Sequence, residues 1–155
     1  MLWRTVAVVL TVAAAQSKSD PVPFDARGRV VCLLEEMKDA HKVEINPVHS
    51  HLAGFRVDAK DPPGGVRYYT LLRTKLGEAL FVDKRYQGRE LRVGGKVFPS
   101  TALLEVTKFQ WYRDGKLTDV YYWCEICSIK SFDPEICACC QAPVEFREAP
   151  APEDP

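Results

Sequence analysis

The chain has 155 residues, with 21 basic and 21 acidic side chains and six cysteines, so its formal net charge is zero. This length fits one compact domain with a small appendage, and 46% hydrophobic with 27% charged residues excludes wholesale disorder. Zero net charge argues against a phosphate backbone as the main partner.

Arg4 precedes an uncharged run of eleven residues, Thr5 to Ala15, which closes on Ala13-Ala14-Ala15. This is the layout of a secretory signal peptide over 1–15, and the run falls short of the roughly 20 residues a bilayer span needs. A retained anchor and an apolar element of the domain are the competing readings. Cleavage after Ala15 leaves 20 basic against 21 acidic side chains, a charge of −1. The expectation is an exported protein, periplasmic or extracellular, with no membrane attachment after cleavage. Residues 16–27, with Pro21 and Pro23, read as a linker.

From Gly28 the chain turns strand-like. Gly28 to Glu35 carries Val30, Val31, Cys32, Leu33 and Leu34, with a short helix over Leu33 to His41 as the competing reading. Phe55 and Val57 alternate with Arg56 and Asp58. After the breaker Asp61-Pro62-Pro63-Gly64-Gly65, Val66 to Arg73 completes a hairpin. Ala79, Leu80, Val82 and Tyr86 repeat at helical spacing, predicting a short helix over Leu76 to Tyr86. Leu91, Val93 and Val97 share one strand phase, and Gly94-Gly95 predicts a bulge or bend. A strand from Leu104 through Trp111 follows. Asp114-Gly115 then marks a hairpin into Thr118 to Trp123. Residues 147–155, rich in Pro and acid, read as a loose tail.

The order of three strands, a short helix and a glycine-bent strand resembles an OB-fold, a small five-stranded barrel with a helix between its third and fourth strands. Gly88-Arg89-Glu90-Leu91-Arg92-Val93-Gly94-Gly95-Lys96-Val97 carries the likeness most clearly. The whole chain resembles uncharacterised exported bacterial proteins that join such a barrel to a C-terminal zinc-ribbon-like cysteine cluster. The expected class is mainly β: an OB-like barrel over 28–123 with one short helix, then a cysteine module over 124–146. Another small barrel or a two-layer α+β fold is the alternative.

Five of the six cysteines fall within seventeen residues. Cys124-Glu125-Ile126-Cys127 is one Cys-x2-Cys knuckle, and Cys137 with Cys140 forms a second after nine intervening residues. Four soft thiolates around one ion suit zinc or iron. The pair resembles a zinc ribbon or rubredoxin knuckle pair, although nine residues is a short spacer. Cys139 is a fifth thiol and an alternate ligand. Export favours a different reading, in which Cys32 brings the total to three disulfides. A third reading is thiol-redox chemistry at Trp123-Cys124-Glu125-Ile126-Cys127, which requires a thiolate at a helix N-terminus. No helix signal follows Cys124.

His49-Ser50-His51 is a His-x-His pair. On a strand both rings face one side, so His49 and His51 together suit a second metal, copper or zinc. A solvated loop pair is the plainer reading. Residues 56–116 hold 13 basic and 7 acidic side chains, whereas 117–155 hold 2 and 8. Tyr68, Tyr69, Phe109, Trp111 and Tyr112 interleave with this basic segment. That invites a single-stranded nucleic-acid reading, but export disfavours it, and the two charged regions also suit each other. No nucleophile elbow, phosphate loop or His-Glu-x-x-His is present. The functional expectation is a non-enzymatic binding or scaffolding module with a structural tetrathiolate site and an unidentified protein or small-ligand partner. The alternatives are a thiol oxidoreductase or metal-transfer protein and a disulfide-stapled interaction domain.

Overall fold

Phe24, Ala26 and Val30 are buried while Asp25, Arg27 and Arg29 turn outward, the period-two rhythm that builds β1 (Val22–Cys32). The computed structural model describes residues 20–46, 48, 50–60, 62, 65–98 and 100–152. The signal-like segment 1–15 and His49 lie outside the described residues. The other elements are α1 (Leu33–His41), β2 (Ala53–Val57), β3 (Tyr68–Leu71), α2 (Lys75–Val82), β4 (Leu91–Phe98), β5 (Leu103–Arg113), β6 (Lys116–Cys124), β7 (Ile129–Ser131) and β8 (Glu145–Pro150). The described chain is therefore mainly β with two short helices.

The long β1 serves two neighbours. Its first half pairs antiparallel with β4 and its second half with β2, and Gly28 belongs to both registers, opposite Leu91 and Val57. A Cβ at Gly28 would stand 2.0 Å from the Arg56 carbonyl oxygen, so only glycine lets the strands meet there. β2 pairs with β3, β4 with β5, and β3 returns to β5 in parallel through Thr70–Leu103 and Leu71–Leu104. The sheet thus partly closes into a ring.

A continuous core fills the ring, with Phe55, Leu80, Tyr86, Leu91, Val93 and Leu104 fully enclosed. Removing the Leu80 side chain to Ala would cost about 2–5 kcal/mol. Tyr69, Phe109 and Trp111 are buried in this core. They pack in edge contacts such as Phe24–Tyr69 at 4.8 Å and Tyr86–Phe109 at 5.0 Å. These three are core residues, while Tyr68 and Tyr112 are only half-buried.

The glycine pair in β4 does what its sequence predicts: the β4–β5 register shifts between Gly94 and Gly95. Asp114 and Gly115 both take positive φ in the two-residue turn joining β5 to β6. The strand and helix readings around residue 33 are each right on one side of Cys32, where β1 hands over to α1. α2 opens under Thr74, whose Oγ1 accepts the Gly77 N–H at 3.3 Å. It stops at Val82, short of the expected Tyr86, because the next residues are held otherwise. Asp83 accepts hydrogen bonds from the Arg85 N–H at 3.0 Å and from the Tyr122 hydroxyl.

Three expectations are corrected. The chain carries two short helices, α1 and α2, where one was expected, because the residues after Cys32 turn helical instead of continuing β1. Residues 22–27 are not linker but the first half of β1. The loose tail expected from residue 147 is replaced by β8, which pairs with β6 from Trp123–Glu145 to Thr118–Pro150. β7 pairs with the same strand at its far end, so β6 carries both arms of the cysteine segment. Phe132 and Phe146 anchor that segment to the barrel, packing on Phe109 and Trp111 at 5.2 and 5.4 Å. The charge asymmetry closes on itself as well: Lys75 pairs with Asp133 at 3.0 Å, and Arg113 pairs with Glu148.

Candidate metal centre

β6 ends at Cys124, and its register against β7 and β8 fixes where that sulfur sits. The next four residues turn the chain: the Ser128 N–H donates to the Cys124 carbonyl at 2.8 Å, with Ser128 at φ 53°. The second knuckle repeats the device. The Gln141 N–H donates to the Cys137 carbonyl at 2.9 Å, with Gln141 at φ 60°. The Cys137 N–H in turn donates to the Ala142 carbonyl at 2.8 Å, and Ile136 bridges to Pro143. Two similar turns therefore face each other across the end of β6.

Their cysteines converge. The Sγ atoms of Cys124, Cys127, Cys137 and Cys140 all lie within 4.8 Å of one another, and Cys124 and Cys140 are 3.5 Å apart. Metal–sulfur bonds of about 2.3 Å at tetrahedral angles place the sulfurs about 3.8 Å from one another. A disulfide needs its sulfurs about 2.05 Å apart, in pairs. The four sulfurs form one group, at spacings suited to a single ion. Cys124 and Cys137 are each 1% exposed, while Cys127 and Cys140 are half-buried. Cys139 is exposed and stands outside the four.

The four thiols are not equivalent. Backbone N–H groups of Cys140 and Cys139 point at the Cys137 sulfur and lower its pKa to about 7. Cys127 is pushed up, first by its hydrogen bonds with the Cys140 and Cys139 thiols. Cys124 accepts the Cys127 N–H at 3.4 Å, which favours its thiolate. Burial and the neighbouring Cys140 and Cys137 thiols outweigh that donor and raise it. Of the three thiols that shift, Cys137 is the one favoured as thiolate, while Cys124 and Cys127 are held as thiols.

A dithiol oxidoreductase places its nucleophile at an exposed helix N-terminus. Cys124 instead ends a strand, is buried, and leads into a turn.

The His-x-His reading divides. His49 lies outside the described residues. His51 precedes β2, and its Nδ1 sits 3.3 Å from the Cys32 sulfur and 3.7 Å from Glu35 Oε1. Cys32, Glu35 and His51 form a second group whose donor atoms lie within 4.8 Å of one another. Sequence reasoning did not pair these three. Cys32 and Glu35 are three apart at the start of a helix, a visible signal, but His51 joins them only through the β1–β2 pairing.

Four arginines of the ring strands are held in ion pairs. Arg56 pairs with Glu36 at 2.8 Å, Arg92 with Asp25 at 2.9 Å, Arg29 with Asp58 at 3.2 Å, and Arg27 with Glu90. Among the described residues no helix is long and apolar enough to cross a membrane. Comparison with family models, with curated proteins and with solved structures finds no match to this chain.

Proposed function

We propose that the protein is an exported, non-enzymatic binding or scaffolding module, an OB-like barrel whose C-terminal segment is clamped by one tetrathiolate metal ion. The observation that carries this reading is the convergence of Cys124, Cys127, Cys137 and Cys140 on one point, from two turns of like geometry. Four thiolates select a soft or borderline ion, and zinc fits a closed tetrahedral site best; iron is the other ion that takes four thiolates. The ion's role is to hold a segment without a core of its own. Between β6 and β8 run twenty residues that contain only the three-residue β7. Cross-linking both ends of that segment supplies the stability its few buried side chains lack.

The OB-like reading rests on the ring order β1–β2–β3–β5–β4, the parallel β3–β5 contact and the placement of α2 between β3 and β4. α1, between β1 and β2, is an addition to that plan. Export rests on the charged-then-apolar layout of residues 1–15. The paired guanidinium groups of the ring favour a protein or small-ligand partner over nucleic acid, whose phosphates would have to displace those carboxylates.

The test is Cys124→Ser in the full chain. The expected result is loss of the bound ion and of hydrogen-exchange protection over 125–144, with the barrel strands still protected. Unchanged metal content would refute the assignment.

A second reading, metal transfer, draws on one observation: Cys139 is exposed, directly precedes Cys140 in the second knuckle and lies outside the four-thiol group, a spare thiol beside the site that could displace a ligand. Transfer predicts that Cys139→Ser slows exchange of the bound ion with a competing chelator. A purely structural site predicts no change.

A further inference from the structure

Away from the tetrathiolate cluster, a second set of soft and borderline donors meets at the junction of β1 and α1. Cys32 is the N-cap of α1 and Glu35 lies in its first turn, so the two side chains rise on the same side of the helix start. His51 reaches them by main-chain register. Cys32 pairs with Ala53 across β1 and β2, and the Leu33 N–H donates to the Leu52 carbonyl at 2.9 Å. The residue before Leu52 is thereby held over the helix N-terminus. α1 is pressed onto β2 at Gly54, where a Cβ would meet the Leu33 side chain at 2.3 Å. Phe81 of α2 flanks the imidazole, ring centres 6.4 Å apart. Rigid elements, not a loop alone, set the spacing.

The geometry separates two chemistries. In a cysteine–histidine–acid nucleophile system, thiol and carboxylate engage opposite ring nitrogens. Here both face the same Nδ1, at 3.3 and 3.7 Å. Three different donor atoms therefore converge on one point. A tetrahedral ion with bonds of about 2.3 Å to sulfur and about 2.05 Å to nitrogen and oxygen spaces S and N about 3.6 Å apart, and N and O about 3.4 Å. The observed distances lie within a few tenths of an ångström of these.

We propose that Cys32 Sγ, His51 Nδ1 and Glu35 Oε1 form a second, open site for a divalent zinc-type cation, independent of the tetrathiolate cluster. The thiolate and imidazole disfavour magnesium and calcium, which take oxygen donors. The three groups line a cleft that also holds Asp39, Val31 and Val82. Three protein ligands leave a fourth position facing this cleft for water or an added ligand, the arrangement of open zinc sites as opposed to closed structural ones. The carboxylate of Asp39 adds negative potential to the entry path.

Cobalt(II) titration of the reduced, metal-free full chain tests this, with equilibrium dialysis against zinc in parallel. Two equivalents per chain are expected, the tetrathiolate one tighter. His51→Ala and Glu35→Gln are both at exposed positions, so the fold should persist, as circular dichroism will check. Each should lose or weaken the second equivalent while retaining the first with its four-thiolate absorption. Cys32→Ser should remove the single-thiolate charge-transfer band. Uptake of only one ion that survives all three substitutions would overturn the proposal, as would two ions bound equally well by His51→Ala and Cys32→Ser. One ion lost in His51→Ala but kept in Cys124→Ser would instead uphold this site and refute the tetrathiolate one.

Discussion

Ser128 and Gln141 occupy the same position in two separate turns. Each lies four residues after a cysteine, donates its N–H to that cysteine's carbonyl, and adopts a left-handed backbone, φ 53° and φ 60°. The two knuckles are therefore built alike although their sequences share only the cysteine spacing. Left-handed φ costs a residue with a Cβ about 1 kcal/mol that glycine does not incur. Ser128→Gly and Gln141→Gly should each stabilise the metal-loaded module by about 0.5–1 kcal/mol, less the added freedom of the unfolded chain. Thermal unfolding with the ion present measures it; a clear loss of stability in both would show that these turns do not have the described geometry.

Cys137 provides a pH-dependent prediction. Its folded pKa of about 7 lies below its ordinary value of 9.0. Unfolded chains therefore bind more protons at this site between pH 7 and 9, and stability rises with pH across that window. The contribution is full above about 9 and is lost as pH falls through about 7. In metal-free, reduced protein, ultraviolet thiolate absorbance should gain its first equivalent near pH 7, and Cys137→Ser should remove that step. If the first step remained in Cys137→Ser, the backbone N–H groups would not be acting on this sulfur.

Gly94 and Gly95 are adjacent but not alike. A Cβ on Gly95 would stand 2.0 Å from the Glu105 carbonyl oxygen, whereas one on Gly94 would find its nearest neighbour at 3.8 Å. Gly95→Ala should therefore cost about 3 kcal/mol, since strand backbones must part, while Gly94→Ala stays within about 0.5 kcal/mol. Denaturant unfolding of the two variants separates them, and equal effects would place the bulge elsewhere.

Asp83 ties the end of α2 to β6. Burial alone would raise its pKa, but the Tyr122 hydroxyl, the Arg85 N–H and the Arg85 guanidinium together hold it below its usual value. The carboxylate's stabilisation is thus present above the ordinary carboxylate pKa and lost as pH falls through the lower folded one. Tyr122→Phe should cost about 2 kcal/mol at neutral pH, a charged hydrogen bond's worth, and less in strong acid. A penalty independent of pH would assign the loss to packing instead.

Legibility in the sequence followed the range of the forces involved. The Asp114-Gly115 turn, the Gly94-Gly95 bulge and both Cys-x2-Cys knuckles are local devices, and each is readable from neighbouring residues. β1 began earlier than expected because its inward positions include Ala26 and Gly28, too small to register as an apolar stripe, and because Pro23 signals a linker. Pro23 is tolerated near the start of the strand. β8 was hidden by its composition: in Glu145-Phe146-Arg147-Glu148-Ala149-Pro150 the one large apolar side chain is Phe146, and pairing with β6 supplies the rest. The Cys32–Glu35–His51 group was illegible for a third reason. Its members are brought together by strand register across a twenty-residue interval, which no local spacing reports.

Native mass spectrometry with a parallel free-thiol count decides between a tetrathiolate ion and disulfides at the cysteine cluster. The protein should be recovered from its own compartment, before and after chelation. A tightly held ion is expected, whose removal exposes Cys124, Cys127, Cys137 and Cys140 to alkylation together. A metal-free mass lower by two hydrogens for each cysteine pair, with no thiols released by chelator, would contradict it.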